Sequence, residues 1–490
     1  MLEHSVLSLS LLRVTMFLVD SISPVAILFT FYQLYQLLSH TTAPHNTETF
    51  AGSLNGSVLS TFLPVWFHLE TFFFLYHHLQ KHRLQAPLKP PAMSDLERGK
   101  MYYRVLDSTG DEFRVFFAGW FVWSHTQKQL VATEFHLIRK DNMRDWLSWF
   151  LFGYENYSML LKNPRSKENA QELDEMINDF QLSKGFVMQP GRNGDIEPVI
   201  LSYNRVDAYI KPLVFYAIIA ICESVGFFIL ARFGFSRITT SDSASSKSSA
   251  MSYWVHTPSP KDKAHPIVFI HGIGCGLFPY VNFVAELQRK APTAPIFLIE
   301  LPHVAMRLKD TVPTMDEMIG HIETMLDVHG FSEAVFVGHS LGSSIAGSMI
   351  KYSKYVAGTV LVDPIVILTH HPSLAFNFVH RAPGYNTDSV KANELFMHWL
   401  CSRELFISYT ISRHFIWHQI MLWHDDLPTN HHVIMCRKDL LLNAPVVEQY
   451  MIDKSVSHTM FDIDHGQFLC LPEVQTSVVE RIACASRFVK

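Results

Sequence analysis

The chain has 490 residues, of which 48% are hydrophobic and only 17% charged, with 37 phenylalanines and a formal net charge of −5. Charge this sparse falls below the quarter or so usual for soluble domains. With no basic tract, nothing in the charge pattern proposes a nucleic-acid partner, and six scattered cysteines with no C-x-x-C pair offer neither a disulfide nor a zinc framework.

Residues from about 5 to 38 are mostly apolar, interrupted by Arg13, Asp20 and Pro24, and a second apolar stretch runs from about 59 to 79. Each is long enough as a helix to cross a bilayer core of about 30 Å. The first lacks the basic start and small-residue cleavage pattern of a secretory signal peptide. Between them, the segment around Thr41 to Ser57 carries one charge, Glu48, and a glycosylation sequon at Asn55. Lys81, Arg83, Lys89, Arg98 and Lys100 follow the second stretch. An excess of cations on one side places the Thr41–Ser57 loop outside or in the lumen and the residues after about 80 in the cytosol. Residues 1–94 are therefore expected to be membrane-anchoring helices; buried or interfacial helices are the other reading.

Residues 95–235 are expected to form a helical region. Within it, Asp141 to Leu151 sets aromatic residues opposite polar ones. His136 and Asp141 spell an H-x4-D pattern in a charged segment far upstream of the motifs below, and we treat it as coincidence. A third apolar stretch, 213–231, has Glu223 at its middle. A carboxylate there costs about 2.5–3.5 kcal/mol to insert, which favours a helix packed on the next domain or lying on a membrane over one that spans. Residues 236–250 read as a Ser-rich linker.

From 251 to 490, apolar runs near 266–270, 295–300, 333–337, 358–362, 432–438 and 457–463 alternate with helical patterns, as a predominantly parallel α/β domain requires. Directly after the third run comes Gly338-His339-Ser340-Leu341-Gly342, followed by a small-residue helix pattern. Strand, sharp turn and helix are the setting of a nucleophile elbow, in which the two glycines make room for a turn that lifts the Ser340 hydroxyl. The helix start then aims backbone N–H groups at any oxyanion forming there. Such a site needs an acid and a histidine further on. Asp439 ends the fifth run and His465 follows the sixth, in the order nucleophile, acid, histidine. Asp363, at the end of the fourth run, is the alternative acid; its other reading is a strand-terminating turn with Pro364. Asp462 and Asp464 sit too close to His465 to reach round its ring. His271-Gly272-Ile273-Gly274 follows the first run, so the backbone N–H groups of Ile273 and Leu341 are assigned to an oxyanion hole. His414 and His418 are four apart on an aromatic helix, with Asp425 and Asp426 nearby; a packed pair is the preferred reading over a metal site.

On His271-Gly272, the elbow at 338–342, Asp439 and His465, residues 251–490 resemble the lipase and esterase branch of the α/β-hydrolases, and the whole chain resembles membrane-associated microbial members with a long N-terminal extension. The resemblance implies an α/β-hydrolase fold and acyl transfer by Ser340, with His465 shuttling the proton and Asp439 orienting it. It implies no metal or organic cofactor. It also implies that residues 365–430, rich in aromatics from Phe376 to Trp423, form a helical cap that covers an acyl chain and meets the membrane. The expected function is hydrolysis of acyl esters of lipids at an endomembrane. Transacylation on the same residues, or a non-catalytic lipid-binding or scaffold role, are the alternatives.

Overall fold

The computed structural model describes residues 6–42, 58–240, 250–258, 264–384 and 390–487. Among the described residues, ten strands form two sheets. A small antiparallel pair joins β1 (Phe121–Trp123) to β2 (Ile196–Pro198) inside the otherwise helical region. The central sheet is built from β3 (Ser236–Thr239), β4 (Ser252–His256), β5 (Ile267–Ile270), β6 (Ile296–Ile299), β7 (Ala334–His339), β8 (Val356–Val362), β9 (His431–Cys436) and β10 (His458–Phe461). Its order is β10-β9-β8-β7-β5-β6-β4-β3, parallel from β10 to β6 and antiparallel at β4 and β3. β5 and β7 are wholly buried, as expected for strands covered by helices on both faces.

The Ser-rich linker opens differently from expectation. Residues 236–239 pair antiparallel with β4 and extend the sheet by an edge strand, and residues 241–249 lie outside the described residues. An edge strand is hydrogen-bonded on one side only, so polar Ser236-Arg-Ile-Thr239 suffices there and carries no core pattern.

The helix Val6–Thr42 and the helix Val58–Arg83 pack together through Ser23 to Glu70 at 2.9 Å and Thr30 to Thr71 at 3.0 Å. Leu11, Phe17, Leu28 and Phe31 of the first helix are exposed. Asn55 and residues 43–57, on which the expected topology rests, lie outside the described residues. Among the described residues, two helices are long and apolar enough to cross a membrane: Leu7–Ser39 and Leu213–Arg232. The latter packs one face on the central sheet and the helices beside it. Leu230 is buried there, and a Cβ on Gly226 would lie 3.1 Å from the Phe278 Cα. Glu223, the residue that argued against a span, forms an ion pair with Arg307. Ile218, Ile221, Val225 and Phe228 form the opposite, exposed face.

The helical region has its own aromatic core around Phe116, Trp146 and Phe150. Residues 365–430 sit between this core and the central sheet. Phe376, Trp417 and Trp423, expected to belong to a lid over substrate, pack instead into the aromatic core, where Trp417 stacks on Phe150 at 4.1 Å. There the rings gain aromatic contacts with the helical region in addition to their area burial. Phe378 and Phe415 remain at the cleft above Ser340.

Candidate active site

The loops carrying Ser340, Asp439 and His465 leave the carboxyl ends of the parallel strands β7, β9 and β10, the edge at which α/β sheets gather ligands. β7 and β8 run in register through His339 and Val362, so Ser340 and Asp363 emerge side by side. Ser340 has φ of +51°, a conformation that side chains other than glycine rarely adopt. Its N–H donates to the Val362 carbonyl at 2.9 Å, which holds the turn. The flanking glycines are required by space: a Cβ on Gly338 would lie 2.6 Å from Ser343 Cα, and one on Gly342 would lie 2.7 Å from the His271 carbonyl oxygen.

The Ser340 hydroxyl lies 2.8 Å from His465 Nε2, and His465 Nδ1 lies 2.7 Å from Asp439 Oδ2. The other Asp439 oxygen accepts the backbone N–H groups of Leu441 at 2.7 Å and Leu442 at 3.1 Å, which fixes the carboxylate plane. Asp363 is fully buried and does not bond the imidazole; its Oδ2 accepts the Gly466 N–H at 2.8 Å. Asp462 turns away to Lys438, and Asp464 accepts from Asn393 at 2.5 Å.

Ile273 and Leu341 line the same cleft as Ser340 and His465. The cleft holds a cavity of about 160 Å³ and is mostly apolar, with Ile365, Leu374, Phe378, Ile411, Phe415 and Leu441 on its walls. Leu201 of the helical region also lines it, a contribution that no local pattern announced, because it comes from more than a hundred residues away in the chain. Tyr280 was missed as well. It follows the glycine loop without a motif, yet its hydroxyl meets both Gly272 N and His339 Nδ1. Gly272 itself must lack a side chain, since a Cβ there would lie 2.9 Å from Ser340 Cβ.

His414 contacts Tyr409, and Asp425 pairs with Arg104. His136 bonds the Thr133 carbonyl while Asp141 pairs with Arg144, so neither of those spacings gathers a site. Among the described residues, the one grouping of three or more His, Cys, Asp or Glu ligand atoms within 4.8 Å of one another is Asp363, Asp439 and His465. His465 Nδ1 in that group already faces Asp439.

Burial disfavours a charge on His465, but Asp439, through its charge and its hydrogen bond, and Asp363 outweigh this and push the ring up to about 9. A base must be unprotonated, so the rate is expected to rise with pH through an acid limb centred well above 6.5. A kcat/KM profile with its midpoint at or below the ordinary histidine value would contradict the pairing. The same shift stabilises the fold fully below about pH 6.5 and is lost as pH climbs through about 9.

Residues 267–473 match the model of a family described as alpha/beta hydrolase. The chain carries an alpha/beta-hydrolase domain. Its curated relatives include the (Lyso)-N-acylphosphatidylethanolamine lipases of Mus musculus and Homo sapiens, each 30% identical over 115 residues. That alignment covers 23% of this chain and 34% of theirs, so the chain spans about a third of the length of these relatives. Among solved structures, a hyperthermophilic esterase from Pyrobaculum calidifontis aligns at 13% identity and a TM-score of 0.38, over 55% of this chain and 89% of that one. A carboxylesterase from Bacillus subtilis aligns at 11% identity and a TM-score of 0.35, over 54% and 98%.

Proposed function

We propose that this alpha/beta-hydrolase is a membrane-associated serine hydrolase that cleaves carboxylic esters of lipids. The observation that carries the reading is the continuous contact from Ser340 through His465 to Asp439 at the floor of an apolar cleft. In the reaction, Ser340 Oγ attacks the ester carbonyl carbon as its proton passes to His465 Nε2. The oxyanion faces the backbone N–H groups of Ile273 and Leu341, aimed in advance at the charge that develops. His465 then protonates the departing alkoxide and next takes a proton from the water that releases the acid. Asp439 holds the ring and stabilises the imidazolium.

A lipid substrate is supported by the apolar walls above Ser340 and by the lipase relatives. Membrane association is supported by the exposed apolar residues of the first helix and by the outer face of Leu213–Arg232. On this reading residues 1–94 anchor the chain, and residues 95–235 and the cap at 365–430 frame the hydrolase domain of 251–490. Helix Leu213–Arg232 lies along the lipid surface, its Glu223 neutralised by Arg307.

The test is release of labelled fatty acid from a long-chain ester in phospholipid vesicles by the full chain. Free acid released in step with ester lost supports hydrolysis. Label appearing only on an added lysolipid acceptor identifies a transferase, and no turnover of any long-chain ester sinks the lipid reading.

A further inference from the structure

We propose that Tyr280, His339 and Asp363 form a buried positioning relay beneath the nucleophile, tying the oxyanion loop to the loop that carries the catalytic histidine. The proposal rests on the serine-hydrolase reading above and adds to it three residues that take no part in bond making. The Gly272 N–H donates to the Tyr280 oxygen at 3.1 Å. The Gly272 N–H is itself a donor and cannot take the Tyr280 proton, so the Tyr280 hydroxyl donates to His339 Nδ1 at 2.7 Å. That fixes the His339 tautomer: its proton sits on Nε2, which faces Asp363 Oδ2 across 3.9 Å. Asp363 Oδ2 in turn accepts the Gly466 N–H at 2.8 Å.

Each contact falls one residue from a group that the chemistry needs. Gly272 precedes Ile273, His339 precedes Ser340, and Gly466 follows His465. Tyr280, His339 and Asp363 are all buried. Polar groups removed from water cost free energy unless their bonds are made, and His339 Nε2 and Asp363 Oδ1 have no hydrogen-bond partner. A buried tyrosine, histidine and aspartate at this place are therefore expensive for the fold, and what they secure is the relative position of three loops. Misplacing such a loop by about 1 Å is enough to cost a reaction roughly 100-fold in rate.

The titratable neighbours packed against the relay are His271, His465, Asp439 and Cys436. Burial, with His465 and His271 close by, holds His339 well below the ordinary histidine range. Burial raises the Asp363 carboxyl; His465 pulls it down and Asp439 pushes it up. Asp363 also contributes to the raised state of the His465 ring. The relay thus acts on the catalytic base by position and by charge.

The experiment uses the full chain in detergent with a short, soluble p-nitrophenyl ester, and normalises every rate to the fraction of enzyme labelled by a fluorophosphonate. Tyr280→Phe removes one hydroxyl from a ring that otherwise keeps its shape. It is expected to lower kcat roughly 10- to 100-fold with KM little changed, while the labelled fraction still reaches that of the parent. Asp363→Asn keeps an acceptor for Gly466 but removes the charge beside His465, and is expected to move the acid limb to lower pH. The double variant is expected to lose less than the product of the two single losses, as members of one network do. Parental kcat and an unmoved acid limb in both variants would overturn the proposal. So would losses that vanish once rates are divided by the labelled fraction, since that is what a purely structural role produces. Failure of the underlying serine-hydrolase reading looks different: the parent itself takes no label.

Discussion

Ser340→Ala is expected to abolish fluorophosphonate labelling and to lower ester hydrolysis by on the order of 10⁴- to 10⁶-fold, leaving the melting temperature near that of the parent. The substitution removes only the hydroxyl. The Cβ that packs against Gly272 stays, and the strained backbone at φ of +51° is common to both residues. The loss arises because Oγ is the atom that forms the acyl-enzyme, and no other hydroxyl has been placed on His465 Nε2. Measured turnover of a soluble ester by parent and variant, on protein of equal melting temperature, decides the matter. Retained hydrolysis would move the nucleophile elsewhere. Retained biological function without hydrolysis would point to the binding or scaffold role instead.

Asp439→Asn is expected to lower kcat by roughly 10⁴-fold without unfolding the protein, by a route that the local hydrogen bonds spell out. Asp439 Oδ1 is held by two backbone donors, Leu441 N–H and Leu442 N–H. In the asparagine variant those donors retain the amide oxygen, which turns the amide NH₂ toward His465 Nδ1. That nitrogen must then accept, so the ring proton moves to Nε2 and faces Ser340. A histidine in that tautomer cannot take the serine proton. Kinetics of Asp439→Asn beside Asp363→Asn provide the check. A near-parental rate for the first and a collapse for the second would transfer the acid to Asp363.

The choice between those two carboxylates shows where the sequence stopped. Both end parallel strands, and both stand before His465 in chain order. Only the register of β8 and β9, and the path of the loop after Cys436, put Asp439 on Nδ1 and leave Asp363 on the Gly466 backbone. The strands of the parallel sheet were legible because β-branched and aromatic runs covered on both faces look alike wherever they occur. β3 and β4 were not. One is a polar edge strand, and the other is a five-residue run, Ser252–His256, whose apolar residues are three in a row. The cap aromatics were visible as a cluster, but a cluster does not say which surface it faces. Phe378 faces the cleft, whereas Trp417 stacks on Phe150 of the helical region.

What the sequence determined by itself was the chemistry available. A serine between two glycines after a buried strand, an acid and a histidine after later strands, and long apolar stretches upstream are local facts, set by spacing and residue type. The tertiary structure alone decided which groups touch. It brought Ser340, His465 and Asp439 into one chain of contacts and Leu201 into the cleft wall. It paired Glu223 with Arg307 and threaded Tyr280, His339 and Asp363 beneath the nucleophile. The reason is physical. Local pattern fixes backbone conformation over a few residues, whereas a hydrogen bond depends on tenths of an ångström between atoms a hundred or more residues apart, and only the packed core sets those distances.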